Sequence, residues 1–189
     1  MADNLTTALA VVSLLREQDL EVPESSLVEG IGKVHWPGRL QFIEGVHGGP
    51  DLILDVGHNP LAVRTVVEEL HMRSDGKPVH FVVAMADDKN LVQYLDPLVG
   101  ICSRFVATSW PGPRARPPEE IETTFLSIAE RMGKRIPTAS IEDPVAAIRE
   151  AAQGFVEPGI IVALGSHMLV GPLLAALARG GIEELMAVG

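Results

Sequence analysis

The segment Asp55-Val56-Gly57-His58-Asn59-Pro60 holds the densest group of chemistry-bearing residues in the sequence. It follows the apolar run Leu52-Ile53-Leu54, which places it at the carboxyl end of a predicted strand. Asn59 suits an N-cap and Pro60 the first helical position. Free backbone N–H groups and the helix dipole would then favour an anion close to His58. Asp55, at the strand end, is placed to accept hydrogen bonds from sugar hydroxyls. The same residues also make a plain capped turn with an incidental histidine, since such caps are common. Local features leave both open.

Three more polar segments follow apolar runs in the same way. Met85-Ala86-Asp87-Asp88-Lys89-Asn90 comes after Val82-Val83-Ala84 and either binds a metal or caps a helix, the lysine favouring the cap. Thr108-Ser109-Trp110-Pro111 comes after Phe105-Val106-Ala107. Gly165-Ser166-His167 comes after Ile161-Val162-Ala163-Leu164 and reads as an anion-binding turn or a helix start. Arg39, in Trp36-Pro37-Gly38-Arg39, opens another short apolar run and taken alone is a surface arginine.

Other chemistries lack their residues. Ser166-His167 is no hydrolase triad, because the Gly-x-Ser-x-Gly elbow is missing. Neither Gly32-Lys33 nor Gly133-Lys134 has a glycine five residues before its own, so there is no Walker A loop. No Gly-x-Gly-x-x-Gly follows a strand, and no His/Cys/carboxylate cluster has metal-ligand spacing.

Elements that would position these groups alternate along the chain. Apolar runs at Leu40–Ile43, Leu52–Val56, Val79–Ala84, Phe105–Thr108 and Ile160–Leu164 read as strands. Helical patterns follow at about 60–73, 90–101, 118–133, 143–153 and 167–179. This order predicts an α/β domain, Rossmann-like and three-layered, with a mostly parallel sheet. In such sheets the ligand crevice lies beyond the carboxyl ends of the strands, where all the polar segments fall. Ahead of this domain, Asn4–Glu17 and Ser25–Lys33 read as helices, and Trp36-Pro37-Gly38 as a turn. The expected boundary divides a two-helix segment, 1–36, from the main domain, 37–189.

Composition narrows the partners. Lys and Arg total 15 against 25 Asp and Glu, a net charge of −10, with no basic cluster, so no nucleic-acid partner is expected. No apolar stretch approaches the length needed to span a bilayer, and the start of the chain lacks a signal peptide's pattern, so no membrane partner is expected. Cys102 is the only cysteine, which rules out an intrachain disulfide and suits a reducing, cytoplasmic location.

Taken in order, Pro37-Gly38-Arg39-Leu40-Gln41, then Leu54-Asp55-Val56-Gly57-His58-Asn59-Pro60, Asp88-Lys89 and Gly165-Ser166 resemble the C-terminal domain of folylpolyglutamate and dihydrofolate synthases, members of the Mur ligase superfamily. Asn4, in Asp3-Asn4-Leu5-Thr6-Thr7-Ala8-Leu9, is similar to the Asn-x-x-x-Ala-Leu helix that closes the family's central domain. Gly57 stands where the family usually has alanine, and Asn90 replaces the second Asp of its Asp-Lys-Asp element. The resemblance implies ATP-dependent addition of L-glutamate to folate or dihydropteroate through an acyl phosphate. It implies ATP contacts at Asn4, Arg39 and Asp55: Arg39 toward adenine or ribose, Asp55 toward the ribose hydroxyls. His58 and Ser166 match positions of the glutamate and acyl-phosphate site. The family's phosphate loop, magnesium ligands and most of its folate site belong to an N-terminal ATPase domain that precedes the matched region. The chain alone is therefore expected to be inactive. A free-standing nucleotide-binding or regulatory module, or another Mur-type amino-acid ligase, is the alternative.

Overall fold

The inner strands of the sheet are apolar on both faces, which is what a sheet covered by helices on both sides requires. The computed structural model describes residues 2–155 and 158–186. The chain divides into two compact units, Met1–Trp36 and Pro37–Gly189. In the first, α1 (Ala2–Arg16) and α2 (Glu24–Gly32) are joined by a loop in which Arg16 Nε donates to Val22 O at 3.0 Å. None of residues 4–36 is buried, and Leu5, Leu9, Val28 and Trp36 are exposed.

The second unit runs β1 (Gln41–Ile43), β2 (Asp51–Asp55), α3 (Pro60–Arg73), β3 (Val79–Val83), α4 (Leu91–Val99), β4 (Cys102–Ala107), α5 (Pro118–Arg131), β5 (Thr138–Ser140), α6 (Pro144–Gln153), β6 (Ile160–Leu164) and α7 (His167–Met186). Its six-stranded sheet has the order β1-β2-β6-β3-β4-β5. Only the β1–β2 pair is antiparallel. Side chains alternate across the sheet as the two-residue period of a strand dictates. Ile53, Phe81, Val83, Phe105 and Val162 pack with α3, α4 and α5. Leu52, Leu54, Val82, Val106 and Ile161 pack with α6 and α7 on the other face. This is the expected three-layer architecture. Each large side chain buried this way contributes about 1.5–3 kcal/mol.

Helix ends follow local chemistry. Asn59, Asn90 and Asp143 each cap a helix, accepting from Ala62, Gln93 and Ala146 N–H at 2.9, 3.1 and 2.7 Å. The last helix breaks at Gly181, whose φ of 71° lies in the left-handed region, close to its expected end at 179.

The clearest differences from the sequence expectation lie in β4 and β5. β4 begins at Cys102, before the predicted Phe105, because Ser103 and Arg104 interrupt the apolar run. β5 was not expected at all. It reads Thr-Ala-Ser, and only Ala139 faces an apolar layer. Thr138 and Ser140 instead donate their hydroxyls to the two carboxylate oxygens of Glu122 on α5, the first at 2.6 Å. An edge strand held by a carboxylate carries no hydrophobic signal.

His80 sits buried on β3 with Nδ1 2.7 Å from Ala151 O, and its ring stacks on Phe155 at 3.7 Å between centroids. The carbonyl can only accept, so Nδ1 carries the proton. Burial lowers the imidazole pKa from its ordinary 6.5, the Ala151 hydrogen bond opposes this, and nearby Arg104 adds to the lowering. The unfolded chain therefore binds more protons than the native state as pH falls through 6.5, and stability drops with it. Urea melts between pH 7.5 and 5.5 should show this loss in the wild type, at most about 1.4 kcal/mol per pH unit from this one group. His80→Phe, which keeps the ring stack, should remove that share of the slope. An equal slope in both proteins would refute the assignment.

Candidate functional site

β2 and β6 are neighbours, with Asp55 opposite Leu164, yet the helices that follow them, α3 and α7, cover opposite faces of the sheet. A crevice at the carboxyl ends is the geometric result. It brings together Asp55–Pro60 from the β2 end and Gly165–His167 from the β6 end. Because β1 runs antiparallel to β2, the turn Pro37–Leu40 that precedes it arrives at the same end.

Asp55 ties these segments together. Its carboxylate is buried and accepts from Leu40 N–H at 2.9 Å through one oxygen and from Gly57 N–H at 2.6 Å through the other. Its main-chain carbonyl accepts from Gly165 N–H at 3.3 Å. The turn it holds is strained: Gly38 and Leu40 have φ of 71° and 43°. A positive φ at leucine persists only where surrounding structure enforces it. Gly38 also packs against Val56 and Val170, 3.0 and 2.9 Å from where a Cβ would stand, and its carbonyl accepts from Val56 N–H at 2.8 Å. Arg39 lies between these two fixed residues. It is exposed and makes no ion pair or hydrogen bond among the described residues.

Tyr94, from α4, closes the floor. It is the single tyrosine in the chain and is fully buried. Its hydroxyl donates to Gly57 O at 2.7 Å. Burial pushes the phenol pKa well up, and the Asp55 charge adds to this, so the group stays a donor. Gly165, with φ of 120°, approaches so closely that a Cβ there would lie 2.3 Å from Ala84 O and 3.2 Å from the Tyr94 hydroxyl. Nothing in the sequence pattern marked Tyr94, because a tyrosine in a helix reads as core.

The remaining candidates fall as follows. His58 is exposed at the crevice, with Nδ1 3.3 Å from Val56 O. Ser166 is half-buried and its Oγ accepts from Met168 N–H at 3.0 Å, so it starts α7. Asn4 is exposed on α1 of the first unit. Asp88 pairs with Lys89 at 2.9 Å and with Arg114 at 3.7 Å, and the lysine hydrogen bond is the main cause of its lowered pKa. Helix α4 is capped by Asn90 instead. Among the described residues no group of three or more His, Cys, Asp or Glu could hold a metal ion, and no helix is long and apolar enough to cross a membrane.

Comparison with known proteins follows the same residues. The pattern of the Mur ligase, glutamate ligase domain family matches residues 38–167, from the strained turn to the start of α7. The dihydrofolate synthase/folylpolyglutamate synthase of Escherichia coli (strain K12) is 29% identical over 148 residues, covering 75% of this chain and 34% of that protein. The structure of Escherichia coli FolC in complex with DHPP and ADP superposes with a TM-score of 0.76 at 25% identity, covering 93% of this chain and 39% of that one. A bifunctional folylpolyglutamate synthase/dihydrofolate synthase with Mn, AMPPNP and L-glutamate bound superposes with a TM-score of 0.73 at 25% identity, covering 88% and 38%. The chain thus spans between a third and two fifths of the length of these proteins.

Gly57, where the resemblance implies alanine, leaves no room for a Cβ. A Cβ there would stand 2.5 Å from Asp55 Oδ1 and 2.6 Å from Ala62 Cβ, both fixed by hydrogen bonding or by helix α3. Gly57→Ala should therefore destabilise this chain by about 1–3 kcal/mol, the range for overpacking a tight site. Urea melts of the two proteins would measure it. A stability equal to or above wild type would show that the Asp55 turn gives way easily.

Proposed function

This chain belongs to the Mur ligase, glutamate ligase domain family, and on that premise we propose that it is the C-terminal domain of an ATP-dependent ligase. The ligase joins L-glutamate to folate or dihydropteroate through an acyl phosphate. One observation carries the reading. Three segments far apart in the sequence, 37–40, 55–60 and 165–167, meet at one crevice through the bonds of a single aspartate.

Each proposed role fits the residue's surroundings. Arg39 presents an unpaired guanidinium on a turn fixed from both sides, which suits a nucleotide. Asp55 already receives two N–H groups, and a carboxylate oxygen can accept more than one. Its part in nucleotide binding is then double: it holds the Arg39 turn and offers its remaining lone pairs to ribose hydroxyls. His58 and Ser166 stand at the starts of α3 and α7, where helix dipoles favour the anionic groups of glutamate and acyl phosphate. ATP supplies the phosphoryl group that activates the carboxylate. Its triphosphate and magnesium would be held by an N-terminal ATPase domain, with Asn4 on the adjoining helix.

The first unit supports a partner of that kind. Helices of 15 and 9 residues that bury none of residues 4–36 have no core of their own, and short helices in water are marginal without packing. Residues 37–189 should fold alone, with an unchanged β-sheet signature by circular dichroism. An unfolded or insoluble Pro37-onward chain would overturn the proposed boundary.

Activity gives the sharper test. The chain by itself should turn over no ATP. In a full-length ligase carrying this domain, Asp55→Ala should raise the KM for ATP by about ten- to a hundredfold, the worth of one charged hydrogen bond. His58→Ala should lower kcat and leave that KM nearly unchanged. If instead both variants only lower the melting temperature, the two residues shape the turn and take no part in the reaction. An unchanged ATP dependence in folded Asp55→Ala would reject the nucleotide assignment.

A further inference from the structure

The carboxyl ends of β4 and β5 hold a second depression, separated from the β2–β6 crevice by β3. Its volume is about 530 Å3. The loop after β4 is pinned there: Thr108 N–H donates to Val83 O at 2.8 Å, and Ser109 Oγ donates to Arg116 O at 3.1 Å. This seats Trp110 as one wall, beside Pro111, Pro117, Pro118 and Pro144. Trp110 is only 9% exposed, yet its indole N–H has no hydrogen-bond partner among the described residues and is not fully enclosed. Gly112 leaves the edge of the ring open. A Cβ there would lie 3.8 Å from Nε1, and the φ of 148° discourages any side chain.

Tryptophans buried to this extent usually find a hydrogen-bond partner, and this N–H remains open to an acceptor entering the cavity. Whatever enters this cavity therefore meets apolar walls and one inward donor. The mouth adds a charge requirement. Glu119 and Glu142 line it, are exposed, and form no ion pair among the described residues. Glu119 suits the dipole at the start of α5, and Glu142, just before the Asp143 cap of α6, lies near that helix's start in the same way. Nearby cations are engaged elsewhere: Arg114 with Asp88, and Arg116 with Glu120 and the carbonyls of Asp87 and Lys89. An anion would be repelled at this mouth, and a bare inorganic cation would leave the indole unused.

We propose that this cavity docks a basic segment of a partner polypeptide, whose backbone carbonyl accepts from the Trp110 indole while its lysine or arginine pairs with Glu119 and Glu142. The inference is independent of the ligase reading. Trp36 and Trp110 are the only tryptophans, so Trp36→Phe leaves a single indole N–H resonance to follow. Titrating that full chain with N-acetyl-arginine methylamide should move the resonance downfield in a saturable way. Adding Glu119→Gln and Glu142→Gln should weaken binding about three- to tenfold, as the loss of two exposed ion pairs implies. Butylguanidinium, which has no carbonyl, should not move the indole signal. No saturable shift with the arginine probe would overturn the proposal. So would an equal affinity for N-acetyl-glutamate methylamide, an unchanged affinity in the folded double variant, or an equal indole shift with butylguanidinium.

Discussion

A buried carboxylate must find donors or pull back to its neutral form, and at Asp55 that requirement organises the whole carboxyl edge of the sheet. Its oxygens bind the N–H groups of Leu40 and Gly57, and its carbonyl binds Gly165. Three chain segments are thus fixed by one residue at the end of one strand. Leu40 keeps an unfavourable backbone conformation because of it, and Arg39 is held out to solvent as a consequence. Tyr94 secures the far side of Gly57, so the loop between β2 and α3 is clamped from above and below. The glycines at 38, 57 and 165 are where these clamps bring backbone and side chains closer than any Cβ would allow.

The sheet itself was legible because its strands are short apolar runs bounded by turns, and because helical periodicity separates them. The crevice was legible for a related reason: polar residues directly after such runs must lie on one edge of a parallel sheet. What escaped was held by polar contacts. β5 has no apolar alternation, since Glu122 does for Thr138 and Ser140 what a hydrophobic layer does for the other strands. The two backbone donors to the Asp55 carboxylate were invisible because one of them, Leu40, is fifteen residues away. Tyr94 is further still, on a helix whose pattern speaks only of burial. Family resemblance pointed to residues at this edge of the sheet, and the geometry shows that Asp55 among them also bears structure.

Charge distribution separates the two depressions. The β2–β6 edge carries Arg39, the buried Asp55 and two helix starts. The depression at β4 and β5 offers unpaired carboxylates around a buried indole. Between them the loops after β3 and β4 are zipped together by the Ala86–Ala115 bridge and by Arg116, which binds the carbonyls of Asp87 and Lys89.

The strand at the heart of the sheet is the last one in the chain. β6 lies between β2 and β3, and both pair with it and not with each other. During synthesis β2 and β3 therefore wait with open, apolar edges until roughly eighty to a hundred further residues have been made, a long-range closure that slows folding and invites wrong pairing. The crevice shares this timing, because half of it arrives with Gly165 to His167. A nascent or truncated chain that stops short of β6 cannot hold a half-built site in native form. Completion of this edge and completion of the fold are, in this topology, a single event.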